Sequence, residues 1–91
     1  MNEFYLEYFL REQGLKEVYC DDNEIIYEGS AKAIWQNNFI TVNVLVFLRF
    51  EEKFILKDYE RQVSYELDRD EFVHNVEWKN LFYNKVEYQE A

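Results

Sequence analysis

A chain of 91 residues with 19 acidic and 10 basic side chains carries a formal net charge of −9 at pH 7, and so repels nucleic acid and anionic membrane surfaces, both polyanions. The length admits one domain, 1–91, and eight Phe, eight Tyr and two Trp supply the apolar area that a disordered acidic chain lacks. Cys20 is the only cysteine, which excludes an intrachain disulfide and a Cys-based zinc site and suits a reducing cytoplasm.

The first element is a helix over 2–13, with Asn2 as N-cap and Glu3 in the first turn. Leu6, Phe9 and Leu10 form its apolar stripe, and Gly14 offers a left-handed C-terminal residue. From Lys16 the period becomes two. A strand through Val18 and Cys20 ends at the polar turn Asp21-Asp22-Asn23, and a second strand runs from Ile25 to Gln36 with a bulge at Gly29. After a turn at Gln36-Asn37-Asn38, Phe39 to Phe50 is the central strand. Ile40, Val42, Val44, Val46, Leu48 and Phe50 share one parity and are predicted to line one face.

Glu51-Glu52-Lys53 turns the chain, and Phe54 to Leu67 reads as one further strand. Asp68 with Glu71 makes a capping box for a second helix that runs to about Tyr83, with a break near Glu77 where its apolar stripe drifts. Lys85 to Ala91 reads as a short edge strand or a tail. The expected fold is therefore α+β, in the order α-β-β-β-β-α. A four-stranded antiparallel meander carries an N-terminal and a C-terminal helix packed on one face. The longest apolar run, Val44 to Leu48, is far short of the roughly 20 residues of a bilayer span, and the first residues lack a signal-peptide pattern.

Catalytic and metal-binding patterns are weak. The one histidine, His74, lies on the second helix and Cys20 at a strand end, so a nucleophile–base pair has no support from spacing. Asp21-Asp22-Asn23-Glu24 lacks the spacing and the glycine of a calcium loop. Two isolated glycines cannot make a phosphate-binding loop. The chain is expected to be no enzyme and to need no cofactor or metal.

The acidic positions carry more information. Asp58, Glu60, Glu66, Asp68 and Asp70 share one parity, and alternate residues on one face of a strand lie roughly 6.6 Å apart. Such a row resembles the phosphates of an extended nucleic-acid strand, which an Arg/Lys groove is built to hold. The ordinary alternative is that outward strand positions are polar in any case. Eight tyrosines exceed what a small core buries at low cost, and tyrosine is enriched at protein interfaces.

The stretch Asn23-Glu24-Ile25-Ile26-Tyr27-Glu28-Gly29-Ser30-Ala31-Lys32 resembles a segment of small proteins of bacteriophages that infect low-GC bacteria. It continues as Ala33-Ile34-Trp35 where that segment would carry Asp-Ile-Pro. In size and charge the chain resembles anti-CRISPR inhibitors of Cas9-type nucleases. That resemblance implies a stoichiometric inhibitor acting in the cytoplasm of a bacterial host. These inhibitors share no common fold, so it assigns no residue a role by position.

The expected function is occupation of a basic groove by an acidic DNA mimic. The expected partner is a basic nucleic-acid-binding protein, either a Cas nuclease or a toxin nuclease; the latter would make the chain an immunity protein or antitoxin. A phage accessory or structural protein whose acidity serves solubility is the remaining alternative. The expected contacts are the turn Asp21, Asp22 and Glu24, the row Asp58, Glu60, Glu66, Asp68 and Asp70, and the anchors Tyr59 and Tyr65. A homodimer through an open sheet edge is compatible with the same pattern.

Overall fold

The computed structural model describes residues 3–79, so the expected Asn2 cap, the helix from 80 to Tyr83 and the segment 85–91 lie outside the described residues. Eight elements follow in order: α1 (Glu3–Gln13), β1 (Leu15–Cys20), β2 (Glu24–Trp35), β3 (Asn38–Leu48), β4 (Lys53–Asp58), β5 (Val63–Asp68), α2 (Arg69–Asn75) and β6 (Glu77–Trp78). The sheet is an antiparallel meander β1-β2-β3-β4-β5, with β6 paired to β2. The α+β class stands as expected, while the strand count rises from four to five in the meander plus the short β6.

The extra meander strand arises because the chain does not run straight from Phe54 to Leu67. It turns through Tyr59 to Gln62, where Gln62 takes a left-handed φ of 58°. The Asp58 carboxylate makes this turn. It accepts from Arg61 N at 3.0 Å and from Thr41 N at 3.0 Å, and Tyr59 N donates to Asn43 Oδ1 at 2.9 Å. These bonds satisfy the β3 edge beyond the point where β4 stops pairing, which is at Val44↔Lys57. No glycine, proline or asparagine marks the turn, so the parity of the flanking residues reads straight through it.

The second helix ends at the break expected near Glu77. It starts on the expected capping box, with Asp68 Oδ1 accepting from Glu71 N at 2.8 Å and Glu71 Oε1 accepting from Asp68 N at 3.1 Å. It ends at Val76, whose backbone is extended. Glu77 and Trp78 then pair with Ile34 and Ala33 of β2. Extension at this point turns the Trp78 indole into the core, with ring centroids 6.0 Å from Phe9 and 5.8 Å from Phe72. Burial of so large a ring outweighs a further turn of helix.

The core lies between one sheet face and the two helices. Leu6 and Leu10 of α1 and Phe72 of α2 join Tyr27, Leu45, Phe47, Phe54, Leu56 and Leu67 in one cluster. Phe54 stacks between Phe47, at 4.7 Å, and Phe72, at 3.9 Å. The central strand does not keep on one face the uninterrupted parity expected from Ile40 to Phe50, with Phe39, Leu45 and Phe47 on the other. Ile40 and Val42 belong to the core cluster, but so do Leu45 and Phe47, while Val44 and Val46 are buried outside it. The phase changes because the register slips between Glu28 and Ala31, so that Gly29 and Ser30 together oppose Asn43. The bulge is the one expected at Gly29, and its consequence for β3 parity is the part that was not foreseen. Phe50 lies beyond the strand and is 79% exposed.

Candidate functional site

In a meander, alternate turns emerge at the same end of the sheet. The β1–β2 turn, the β3–β4 turn and the β5–α2 junction therefore share one end. That end collects Asp21, Asp22 and Glu24 from the first, Glu51 and Glu52 from the second, and Asp68 and Asp70 from the third. Among the described residues the cations at this end are Arg49, Lys53 and Arg69, so the carboxylates outnumber them. Five strands about 4.8 Å apart make the end roughly 19 Å wide.

The geometry of this end is fixed by hydrogen bonds. Asp21 Oδ1 accepts from Asn23 N and Glu24 N, both at 2.8 Å, and Tyr19 OH donates to Asp21 Oδ2 at 2.8 Å. The Tyr19 hydroxyl, then the two backbone N–H groups, hold the Asp21 carboxyl below the usual carboxylate range. The same contact raises the Tyr19 phenol above its ordinary value. Arg49 ties the first turn to the second: its N–H donates to Asn23 O at 2.9 Å and its Nη1 to Asp21 O at 2.6 Å. Arg69 reaches Glu52 at 3.4 Å. Tyr19, 48% exposed, and Phe50 add apolar area beside the carboxylates.

The expected row from Asp58 to Asp70 does not form, because the hairpin separates its members. Asp58 is 2% exposed and spends both oxygens on backbone N–H groups, which corrects its assignment as a partner contact. Glu60 sits in the turn at the opposite end of the sheet, 3.8 Å from Lys32. Tyr59 is exposed beside it, while Tyr65 is half-buried against the core. Glu66 lies on the sheet face without helices and pairs with Lys53 at 3.1 Å. Asp68 caps α2, and Asp70 occupies its first turn. Asp68 and Asp70 thus join Asp21, Asp22 and Glu24, whereas Asp58, Glu60 and Tyr59 belong to the far end. Glu51, Glu52 and Phe50 were missed as members of the acidic end. The signal was present, since both turns were expected and a meander places them together.

At the far end a concavity of about 570 Å³ is lined by Lys32, Phe39, Arg61, Trp78 and Lys79 among others. Among the described residues its lining contains no Ser, Cys or His. Arg61 Nη1 donates to Phe39 O, and Lys32 Nζ donates to Thr41 Oγ1 at 2.8 Å. Cys20 and His74 make separate local contacts, Cys20 Sγ with Arg49 Nη1 at 3.9 Å and His74 Nδ1 with Asp70 O at 3.2 Å. Among the described residues no cluster of His, Cys, Asp and Glu is arranged to hold a metal, and no helix is long and apolar enough to cross a membrane. No protein-family model, curated protein or solved structure matches the chain.

Proposed function

We propose that this chain is a non-catalytic, stoichiometric inhibitor of a nucleic-acid-binding enzyme, of the kind that mobile elements direct against Cas nucleases, and that it works in the bacterial cytoplasm by placing its acidic end in the partner's basic groove. The observation that carries this reading is the convergence of three acidic turns at one end of the sheet. Ordered carboxylates at that end offer an Arg/Lys groove acceptors in place of phosphate oxygens. The Asx turn at Asp21, the capping box at Asp68 and the Arg49 link order the end before any partner arrives, which lowers the entropic cost of binding. Tyr19 and Phe50 supply apolar contact at its rim. A basic nuclease toxin offers the same groove chemistry, so an immunity role differs in the partner and not in the surface used.

The test is capture of the partner from a bacterial lysate on immobilised chain, followed by elution with duplex DNA or salt. Release of a nucleic-acid enzyme by both supports the reading, and the identity of that enzyme separates Cas nuclease from toxin. A captured protein that neither DNA nor salt displaces overturns it.

A further inference from the structure

The helices pack on one face of the sheet, and Val44 and Val46 of the other face lie outside the core cluster. The registers of β2, β3 and β4 arrange the outward residues there as a grid of three rows. These are Glu24↔Leu48↔Lys53, Ile26↔Val46↔Ile55 and Glu28↔Val44↔Lys57. The β2 column carries acids at both ends, the β4 column carries bases at both ends, and the β3 column is aliphatic throughout. Val44 and Val46 are buried, and Ile26, Leu48 and Ile55 are half-buried, so the centre of the grid is an apolar patch framed by charge.

In the free chain the acid and base columns do not neutralise each other. They stand two strands apart, about 9–10 Å, with an aliphatic residue between them in every row. Lys53 pairs instead with Glu66 and stands across from Asp68 on its other side, and Lys16 of β1 stands across from Glu28. The pattern of the three rows is also complementary to itself.

We propose that two copies of this chain pack these faces together about a twofold axis parallel to β3. That rotation lays β3 on β3 and exchanges the flanking columns. Val46 meets its own mate on the axis, Ile26 of one copy covers Ile55 of the other, and the acids Glu24 and Glu28 fall opposite Lys53 and Lys57. The alternative in-plane axis, perpendicular to β3, stacks Glu24 on Glu28 and Lys53 on Lys57, opposing like charges. Charge therefore selects one dimer, with strands nearly aligned and sheets about 10 Å apart as in a β-sandwich. Such an interface is isologous. The contact centres on three strands and is small, so the dimer is reversible. It leaves the acidic end of each copy at the margin of the interface, and it does not depend on the function proposed above.

Light scattering and sedimentation equilibrium on the full 91-residue chain test this. The mass should rise from 11.3 kDa towards twice that value between roughly 10 µM and roughly 1 mM, the range an interface at the low end of the standard size implies. Glu24→Lys with Glu28→Lys makes both columns basic, and Lys53→Glu with Lys57→Glu makes both acidic. Each double variant should lose self-association by at least about tenfold, and an equimolar mixture of the two should restore it as a heterodimer. Val46→Cys, in a Cys20→Ser background, should be joined into a dimer by a short bifunctional thiol reagent, because sheets about 10 Å apart hold the two Cα atoms too far apart for a direct disulfide; this readout survives if a charge variant fails to fold. A wild-type chain that stays monomeric throughout, a dimer that persists in both charge variants, a mixture that does not associate, or a Val46→Cys chain that does not cross-link would each overturn the proposal.

Discussion

The carbonyl oxygen of Gly14 stands where a Cβ on Gly29 would lie, so the two glycines of the chain meet backbone to backbone. Gly14 ends α1 with a φ of 102° and Gly29 opens the bulge in β2, while Ser30 N donates to Gly14 O at 3.3 Å. The exit of the helix is thereby fixed on the one point where the sheet changes phase. Each glycine is required for a different reason, Gly14 by its left-handed backbone and Gly29 by the absence of a side chain.

Gly29→Ala should therefore destabilise the domain sharply, because the new methyl meets backbone and cannot be relieved by a rotamer change. A cost of about 1–3 kcal/mol corresponds to a loss of roughly 5–20 °C in melting temperature for a domain of this size. Thermal melts followed by far-UV circular dichroism measure it. A variant that melts with the wild type would mean that α1 leaves the sheet by another path.

Phe54, 1% exposed between the rings of Phe47 and Phe72, is the centre of the core. Phe54→Ala should cost about 3–5 kcal/mol, a large part of the stability of a small domain. Phe50→Ala, at 79% exposure, should change stability by no more than about 0.5 kcal/mol. Urea unfolding of the two variants gives the contrast directly, and equal losses would place Phe54 outside the core.

Local signals account for what the sequence made legible. The left-handed Gly14, the bulge at Gly29, the Asp21 and Gln36 turns and the Asp68–Glu71 box are each written in a few adjacent residues. The failures are non-local. The Asp58 turn depends on Thr41 and Asn43 from another strand, and the strand that follows the break near Glu77 depends on pairing with β2 and on Trp78 finding Phe9. The β3 phase change depends on a bulge in its neighbour. The supposed acidic row followed from reading parity across an unrecognised turn. The acidic end that replaces it follows from topology, which no window of sequence contains.

Asp58 makes stability depend on pH in a defined direction. Burial alone would raise its carboxyl, but the backbone N–H groups of Thr41, Arg61 and Glu60 and the nearby Arg61 charge outweigh burial and hold it below the ordinary value. A carboxyl depressed by folding contributes stability that is fully present above its unfolded value, about 3.9, and is lost as pH falls through the folded value. Asp58→Ala should cost about 1–3 kcal/mol at neutral pH by leaving buried donors unpaired. The gap between wild type and Asp58→Asn should narrow as pH falls below about 4. Urea midpoints measured between neutral and acidic pH check this, and a gap that widens with acid would refute the assigned hydrogen bonds.

Position separates the acidic-end reading from one in which net charge alone matters. Asp22, Glu51 and Glu52 are exposed at the acidic end, whereas Glu60 is exposed at the far end. Asp22→Lys, Glu51→Lys and Glu52→Lys together should weaken binding to the captured partner by at least about a hundredfold, because they oppose like charges across a groove. Glu60→Lys changes net charge in the same sense, and should leave affinity within about threefold, since separations beyond a Debye length of roughly 8–10 Å are screened. The wild-type affinity should fall steeply with salt and that of the triple variant should not. Titrations by calorimetry at two ionic strengths read both effects. If loss of affinity tracks net charge wherever the reversal is made, the acidic end is no contact surface and the proposed occupation of a basic groove is wrong.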